Sequence, residues 1–311
     1  MARVPPPAVA SPAAVRARPG TAAAMFDLSR GRQALLSIAQ PALGAMLAVG
    51  GLPSLWQIGV GLVAAAAGFL AVFSLNDVLD RRVDRRSLRA GKGEVEGYDI
   101  DTAFERHPLA RGDVGLRLAL VWVGSLATLA AVGAWILDPR CLLLFAAAVA
   151  LEIAYCALRS TTWLKTVVSG VMVGLGGLAG WAAVAPLERG ALPFFLFLAL
   201  WEIGGRNIPN DLADLDSDSR VGITSIATVF GPPAAARATA AVGGLTFASV
   251  LFLGLPAGAA ALALALGVWS MVLPAVRLVR RPTPAQAGAY FNRASLYPAL
   301  VLAAALPFLV G

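Results

Sequence analysis

Apolar residues run for about twenty positions at a time along this chain, with short polar breaks between the runs. A bilayer core about 30 Å thick is crossed by about 20 predominantly apolar helical residues. Stretches of that kind fall at 33–51, 54–79, 114–136, 140–157, 164–185, 191–210, 234–254, 257–277 and 288–310. Three pairs, 33–51 with 54–79, 114–136 with 140–157 and 234–254 with 257–277, are separated by so few residues that each predicts a helical hairpin. The pattern predicts an all-α polytopic membrane protein of nine transmembrane helices.

The polar segments predict less structure. Residues 1–28 are rich in Pro and Ala, hold no apolar core and no signal-peptide h-region, and are expected to form a disordered N-terminal tail, within which Met25 is an alternative initiator. Residues 29–311 then form a single transmembrane domain. The 85–113 connection is long and highly charged, and is expected to be a partly helical cap over one mouth of the bundle.

Composition agrees with the periodicity. Hydrophobic residues make up 58% of the chain and charged residues 14%, where soluble domains carry about 25% charged residues. The net charge of +7 does not point to nucleic acid, because its distribution has another cause. Nine spans with the N-terminus on the first face leave only Arg140 and Arg189 on the second, out of 25 Lys and Arg. By the positive-inside rule the first face is cytoplasmic, and the expected location is a bacterial-type plasma membrane. One missed or extra span in the middle would scramble this asymmetry. Cys141 and Cys156 lie about 22 Å apart along one expected helix, beyond disulfide reach.

The acidic residues gather where two spans reach the cytoplasmic face. The second span ends SLNDVLDRRVDRR, with Asn76, Asp77, Asp80 and Asp84; the sixth ends NIPNDLADLDSDSRVG, with Asp211, Asp214, Asp216 and Asp218. At about 100° per residue, Asn76, Asp80 and Asp84 fall within roughly 80° of arc, with Asp77 beside them. Asp211, Asp214 and Asp218 fall within roughly 60°, Asn207 shares their side, and Asp216 points about 140° away from Asp211. Like charges so placed repel, and ionisable groups at a membrane are expensive, so a cation is expected to offset them. Mg²⁺ takes oxygen ligands and bridges carboxylates to phosphates; two facing clusters suit a diphosphate held through Mg²⁺. The simpler alternative, loop carboxylates neutralised by nearby arginines, explains Asp84 among Arg81, Arg82, Arg85 and Arg86 but not two same-face clusters at matching helix ends.

At these residues the chain resembles the UbiA superfamily of intramembrane prenyltransferases. Asn76, Asp77, Asp80 and Asp84 match its NDxxDxxxD motif, and Asp211, Asp214 and Asp218 its DxxDxxxD motif. RVGITSIATVFG after the second motif is similar to the family's following segment, closest to the 4-hydroxybenzoate type. HPLARGDV (107–114) resembles its RPLxSG element, with His107 in place of Arg and Arg111 in place of Ser. The resemblance runs from about residue 30 onward.

It implies a UbiA-type bundle in which Asn76, Asp77, Asp80, Asp84, Asp211, Asp214 and Asp218 hold Mg²⁺, with Asp80, Asp84, Asp214 and Asp218 as the catalytic carboxylates. The substrates implied are a prenyl diphosphate, which ionises to an allylic cation, and a small-molecule acceptor that captures it, aromatic as in quinone biosynthesis. Asn76, Arg220, Lys165 and Arg159 are the candidate diphosphate contacts, with Arg30, Arg32 and Arg206 as further cations whose position positive-inside topology also explains. Membrane lipid is the expected surroundings.

Glu152 and Glu202 are carboxylates within spans and candidates on that ground. Glu202 stands four residues before Arg206, the spacing of a structural ion pair; Glu152 has no local partner. Glycines of SGVMVGLGGLAGW (169–181) predict either close helix packing or room for a prenyl chain. Other acceptors or cyclisation of the prenyl chain fit the same fold. A cation-coupled transporter is a different class, which calls for charges near the bilayer midplane and interrupted helices.

Overall fold

The computed structural model describes residues 20–89, 100 and 107–310. Helices and no strands occur among them. In chain order they are α1 (Thr21–Leu28), α2 (Gly31–Ser37), α3 (Ala39–Val49), α4 (Leu55–Arg89), α5 (Pro108–Arg111), α6 (Leu116–Leu137), α7 (Pro139–Leu158), α8 (Lys165–Ala182), α9 (Ala191–Leu200), α10 (Ile208–Ala213), α11 (Leu215–Val221), α12 (Ile226–Phe230), α13 (Pro232–Ser249), α14 (Ala257–Gly267), α15 (Leu273–Arg280), α16 (Pro284–Ala294) and α17 (Tyr297–Leu309).

Among the described residues, seven helical segments are long and apolar enough to cross a membrane: Leu55–Arg89, Leu116–Leu137, Pro139–Leu158, Lys165–Ala182, Pro232–Phe252, Ala257–Arg280 and Pro284–Leu309. They coincide with seven of the nine expected spans. The first and sixth expected spans are helical but broken, and proline accounts for each break. Pro41 has no N–H for the carbonyl of Ser37, where α2 gives way to α3. Pro209 and Pro274 each follow a π-helical turn, Trp201–Asn207 and Val268–Val272, in which the widened helix absorbs the missing donor and the ring. Pro298 likewise withholds a donor from the carbonyl of Ala294 at the α16–α17 break. That carbonyl instead accepts a hydrogen bond from Trp201 Nε1 at 2.7 Å, so it is satisfied despite the missing donor.

α8 is central: it packs on α3, α7 and α9, and half of its apolar window is buried (50%), against 11% for α6. α4 pairs with α6, α6 with α7, and α17 with α3 and α14, which closes the bundle. Trp201, Phe194, Phe197, Leu198, Tyr290 and Tyr297 form the main core beside α8. α4 and α6 instead present Leu62, Val63, Leu120, Val121, Val132 and Trp135 outward, which is how a lipid-facing surface is built. At the α6–α7 turn Asp138 accepts from the backbone N–H (2.7 Å) and Nε (2.8 Å) of Arg140. That donation holds its carboxyl below the usual carboxylate range.

Two boundaries depart from the sequence expectation. Residues 21–28, placed in the disordered tail, form α1; Ala24, Met25 and Leu28 bury against Leu109, Val114 and Ala119, so this segment has an apolar face that composition averaged away. Residues 1–19 lie outside the described residues. Of the expected cap, 85–89 continue α4, in which no Gly or Pro occurs between Gly68 and its end. Residues 108–111 make the short α5, the backbone N–H of Ile100 donates to Asn292 Oδ1 at 3.1 Å, and 90–99 and 101–106 lie outside the described residues.

Candidate active site

The acidic end of α4 is a continuous helix, so Asn76, Asp77, Asp80 and Asp84 keep the helical phase expected of them. Asn76 is held from three sides. Its Nδ2 donates to Glu152 Oε1 at 2.6 Å, its Oδ1 accepts from Arg30 Nη2 at 3.2 Å, and Cys156 Sγ lies 3.4 Å from Nδ2. Asp80 is ion-paired with Arg159 at the end of α7. Asp84 Oδ2 lies 3.1 Å from His107 Nδ1. Asp77 is buried and makes no hydrogen bond or ion pair with the described residues.

The second cluster does not lie on one straight helix. α10 ends at Ala213, and Asp214 (φ −93°, ψ 9°) turns the chain into α11, which packs on α4 and carries Asp218. Gly222, at φ +76°, ends α11 in the left-handed conformation that glycine tolerates. Asp211 is fully committed: Lys165 Nζ donates to both its oxygens, at 2.9 and 3.1 Å. Lys165 also lies over the Tyr155 ring, 5.3 Å from its centroid. Asn207 accepts from Thr166 Oγ1 at 2.6 Å and donates to the Tyr155 hydroxyl at 3.2 Å. The expected Glu202–Arg206 pair forms at 3.2 Å, with Ser169 donating to the other Glu202 oxygen at 2.9 Å.

Both clusters face one cavity of about 530 Å³. Asn76, Asp80, Asp84, Asp211, Asp214 and Asp218 line its polar end, together with Arg159, Lys165, Glu152 and Arg206; its remainder is mostly apolar, with Phe69, Phe73, Met172 and Leu302 in the wall. The glycines of α8 divide between the two roles open to them. A Cβ at Gly170, Gly174, Gly177 or Gly180 would collide with Ile203, Phe195, Leu198 or Pro41, whereas Gly176 lines the cavity and a Cβ there would meet nothing within 4 Å.

Of the expected site residues, Asp77 and Arg220 are not in the cavity wall, and neither is the flanking Arg32; Asp77 is buried, and Arg32 and Arg220 are exposed. Asp216 is exposed and outside it. Tyr155, Cys156 and Thr166 join the site without having been singled out; each reads as an ordinary residue of an apolar helix, and only the pairing of α7 with α8 and α4 reveals them. In the sequence Arg30 is a flanking cation and His107 a residue of the RPLxSG-like element. They are the described non-glycine residues with positive φ, at 44° and 56°, and backbone strain of this kind concentrates at functional sites.

The donor set fits a hard divalent cation. Oxygens of Asp77 and Asp84 and a nitrogen of His107 lie within 4.8 Å of one another, and the Asp77 carboxyl is buried, a setting in which a divalent cation offsets the cost of a buried charge.

A helical membrane bundle whose apolar cavity ends in two facing carboxylate clusters defines the class of protein. The chain belongs to the UbiA prenyltransferase family, whose model matches residues 38–297. It is 28% identical over 207 residues to a protoheme IX farnesyltransferase of Polaromonas naphthalenivorans (63% of this chain, 62% of that protein). It is 29% identical over 193 residues to a 4-hydroxybenzoate octaprenyltransferase of Pseudomonas fluorescens (60% and 58%). The matched region thus spans about three fifths of either relative. Among solved structures, the fold is shared with a UbiA homologue from Aeropyrum pernix K1 (TM-score 0.69, 21% identity, 87% of this chain and 96% of that one). It is also shared with a UbiA homologue from Archaeoglobus fulgidus bound to DMAPP and Mg²⁺ (TM-score 0.65, 18% identity, 90% and 98%).

Proposed function

We propose that this protein is a Mg²⁺-dependent intramembrane prenyltransferase that moves a prenyl group from a prenyl diphosphate to an aromatic acceptor, in quinone or related lipid biosynthesis. The observation that carries the reading is the junction of a carboxylate-lined mouth with an apolar cavity of about 530 Å³, since a prenyl diphosphate has the same two parts. Asp77, Asp80, Asp84, Asp214 and Asp218 are assigned to the metal, which as a Lewis acid would neutralise the departing pyrophosphate. Asn76, Lys165 and Arg159 are assigned to the diphosphate. Arg159 and Lys165 already hold Asp80 and Asp211 in place, so the mouth is ordered before substrate arrives. The apolar wall, Phe69 and Phe73 included, takes the prenyl chain and keeps water from the allylic cation.

The orientation follows the charge asymmetry: nine crossings, the two broken helical segments included, with the acidic mouth on the cytoplasmic side. A transporter is the weaker reading. Interrupted helices are present at Ser37 and Trp201–Asn207, but the carboxylate clusters crowd one end of the cavity and the family is that of prenyltransferases. The acceptor is tested by incubating the detergent-purified protein with Mg²⁺, prenyl diphosphates of graded length and candidate acceptors. A prenylated aromatic product supports the reading; a cyclic hydrocarbon formed without acceptor replaces it with a cyclase; a prenylated non-aromatic product keeps the enzyme and changes the acceptor class.

A further inference from the structure

We propose that His107 is a ligand to the divalent cation of the first acidic cluster, which makes that site a mixed nitrogen and oxygen site suited to Mn²⁺ or Co²⁺ as well as to Mg²⁺; the proposal rests on the functional reading above. His107 Nδ1 lies 3.1 Å from Asp84 Oδ2. A separation of this size is that of an ion pair and also lets both atoms serve as donors to one small cation. The third donor is independent of that contact: Asp77 is 4% exposed and brings an oxygen to the same group, all three atoms lying within 4.8 Å of one another.

The local fold holds His107 in place. It sits at φ 56°, and the carbonyl of Pro108 after it accepts from the N–H groups of Gly112 (3.1 Å) and Asp113 (2.9 Å), which fixes the turn. Leu109 is buried against Met25 and Leu28 of α1, with Trp122 and Val78 around them. An Arg at 107, the residue of the similar RPLxSG element, brings only a fixed cation and no lone pair. An imidazole brings a nitrogen donor, which first-row transition ions favour over Mg²⁺.

His107 is the only histidine of the chain, so a spectroscopic imidazole signal has a single source. The test uses full-length, tag-free protein in detergent, labelled with nitrogen-15 at histidine and loaded with Mn²⁺ alone or Mn²⁺ with inorganic pyrophosphate. Pulsed EPR is expected to show a coupling that changes between nitrogen-14 and nitrogen-15 histidine. His107→Gln is expected to lose it and to bind Mn²⁺ about tenfold more weakly, with Mg²⁺ affinity changed less than about threefold. A bound Mn²⁺ whose spectrum ignores the histidine label in both conditions overturns the proposal, as does an absence of Mn²⁺ binding. Pyrophosphate release with Mg²⁺ and a prenyl diphosphate separates the two readings. If it persists without a histidine coupling, only the His107 assignment fails; if the coupling is present but no donor is turned over, the prenyltransferase reading fails instead.

Discussion

Lys165 and Asp211, on different helices and both buried, form a two-pronged ion pair of 2.9 and 3.1 Å in the wall of the cavity. Removing one partner strands the other charge, at about 3–5 kcal/mol for a buried pair. Lys165→Met should therefore lower the unfolding temperature in detergent and abolish turnover. Lys165→Met combined with Asp211→Leu should recover most of the stability and none of the activity. Recovery of activity in the double variant would mean the pair is structural only.

Asp80 and Asp214 line the cavity and Asp216 does not. Asp80→Ala and Asp214→Ala are each expected to reduce turnover by about 10²–10³-fold, the order found when a charge-stabilising group is lost. Asp216→Ala should stay within about twofold, because surface substitutions away from such groups do little. Comparable rates in all three variants would contradict the placement.

The Asn76 amide and Glu152 carboxylate meet at 2.6 Å inside the bundle. Glu152→Gln keeps an oxygen acceptor for Asn76 and should retain most stability and activity. Glu152→Ala leaves the Asn76 donor with only the weak sulfur acceptor of Cys156, at about 1–3 kcal/mol, and should lower both the melting temperature and kcat. Equal behaviour of the two variants would show that this hydrogen bond does not orient Asn76.

Much of this was legible in the sequence because its signals are local. The Asp ladder of α4 follows helical phase, and Glu202 finds Arg206 four residues away. Hydropathy averages across the breaks at Pro41, Pro209 and Pro298 and so hides them, although each proline marks its own missing donor. The partners of Glu152, Asp211 and Asp80 lie on other helices, so no spacing rule reaches them. The phase argument for Asp211, Asp214 and Asp218 assumed one straight helix, and the chain instead turns at Asp214.

Gly176 and Gly180 both line the cavity but differ in what lies behind them. Gly176→Phe has open space to fill, and should leave folding intact while cutting kcat/KM for long prenyl donors by about tenfold or more relative to short ones, the scale on which pockets discriminate chain size. Gly180→Ala drives its Cβ into the backbone of Pro41, and should destabilise by about 1–3 kcal/mol through overpacking. Unchanged donor-length preference in Gly176→Phe would place the prenyl chain elsewhere.

The most direct test of the central claim is pyrophosphate release by the purified protein supplied with Mg²⁺, an aromatic acceptor and a panel of prenyl diphosphates. The account predicts release from at least one donor, abolished by EDTA and by Asp80→Ala and restored by added Mg²⁺. Folded protein that releases no pyrophosphate from any donor, or releases it equally with and without divalent cation, would contradict it.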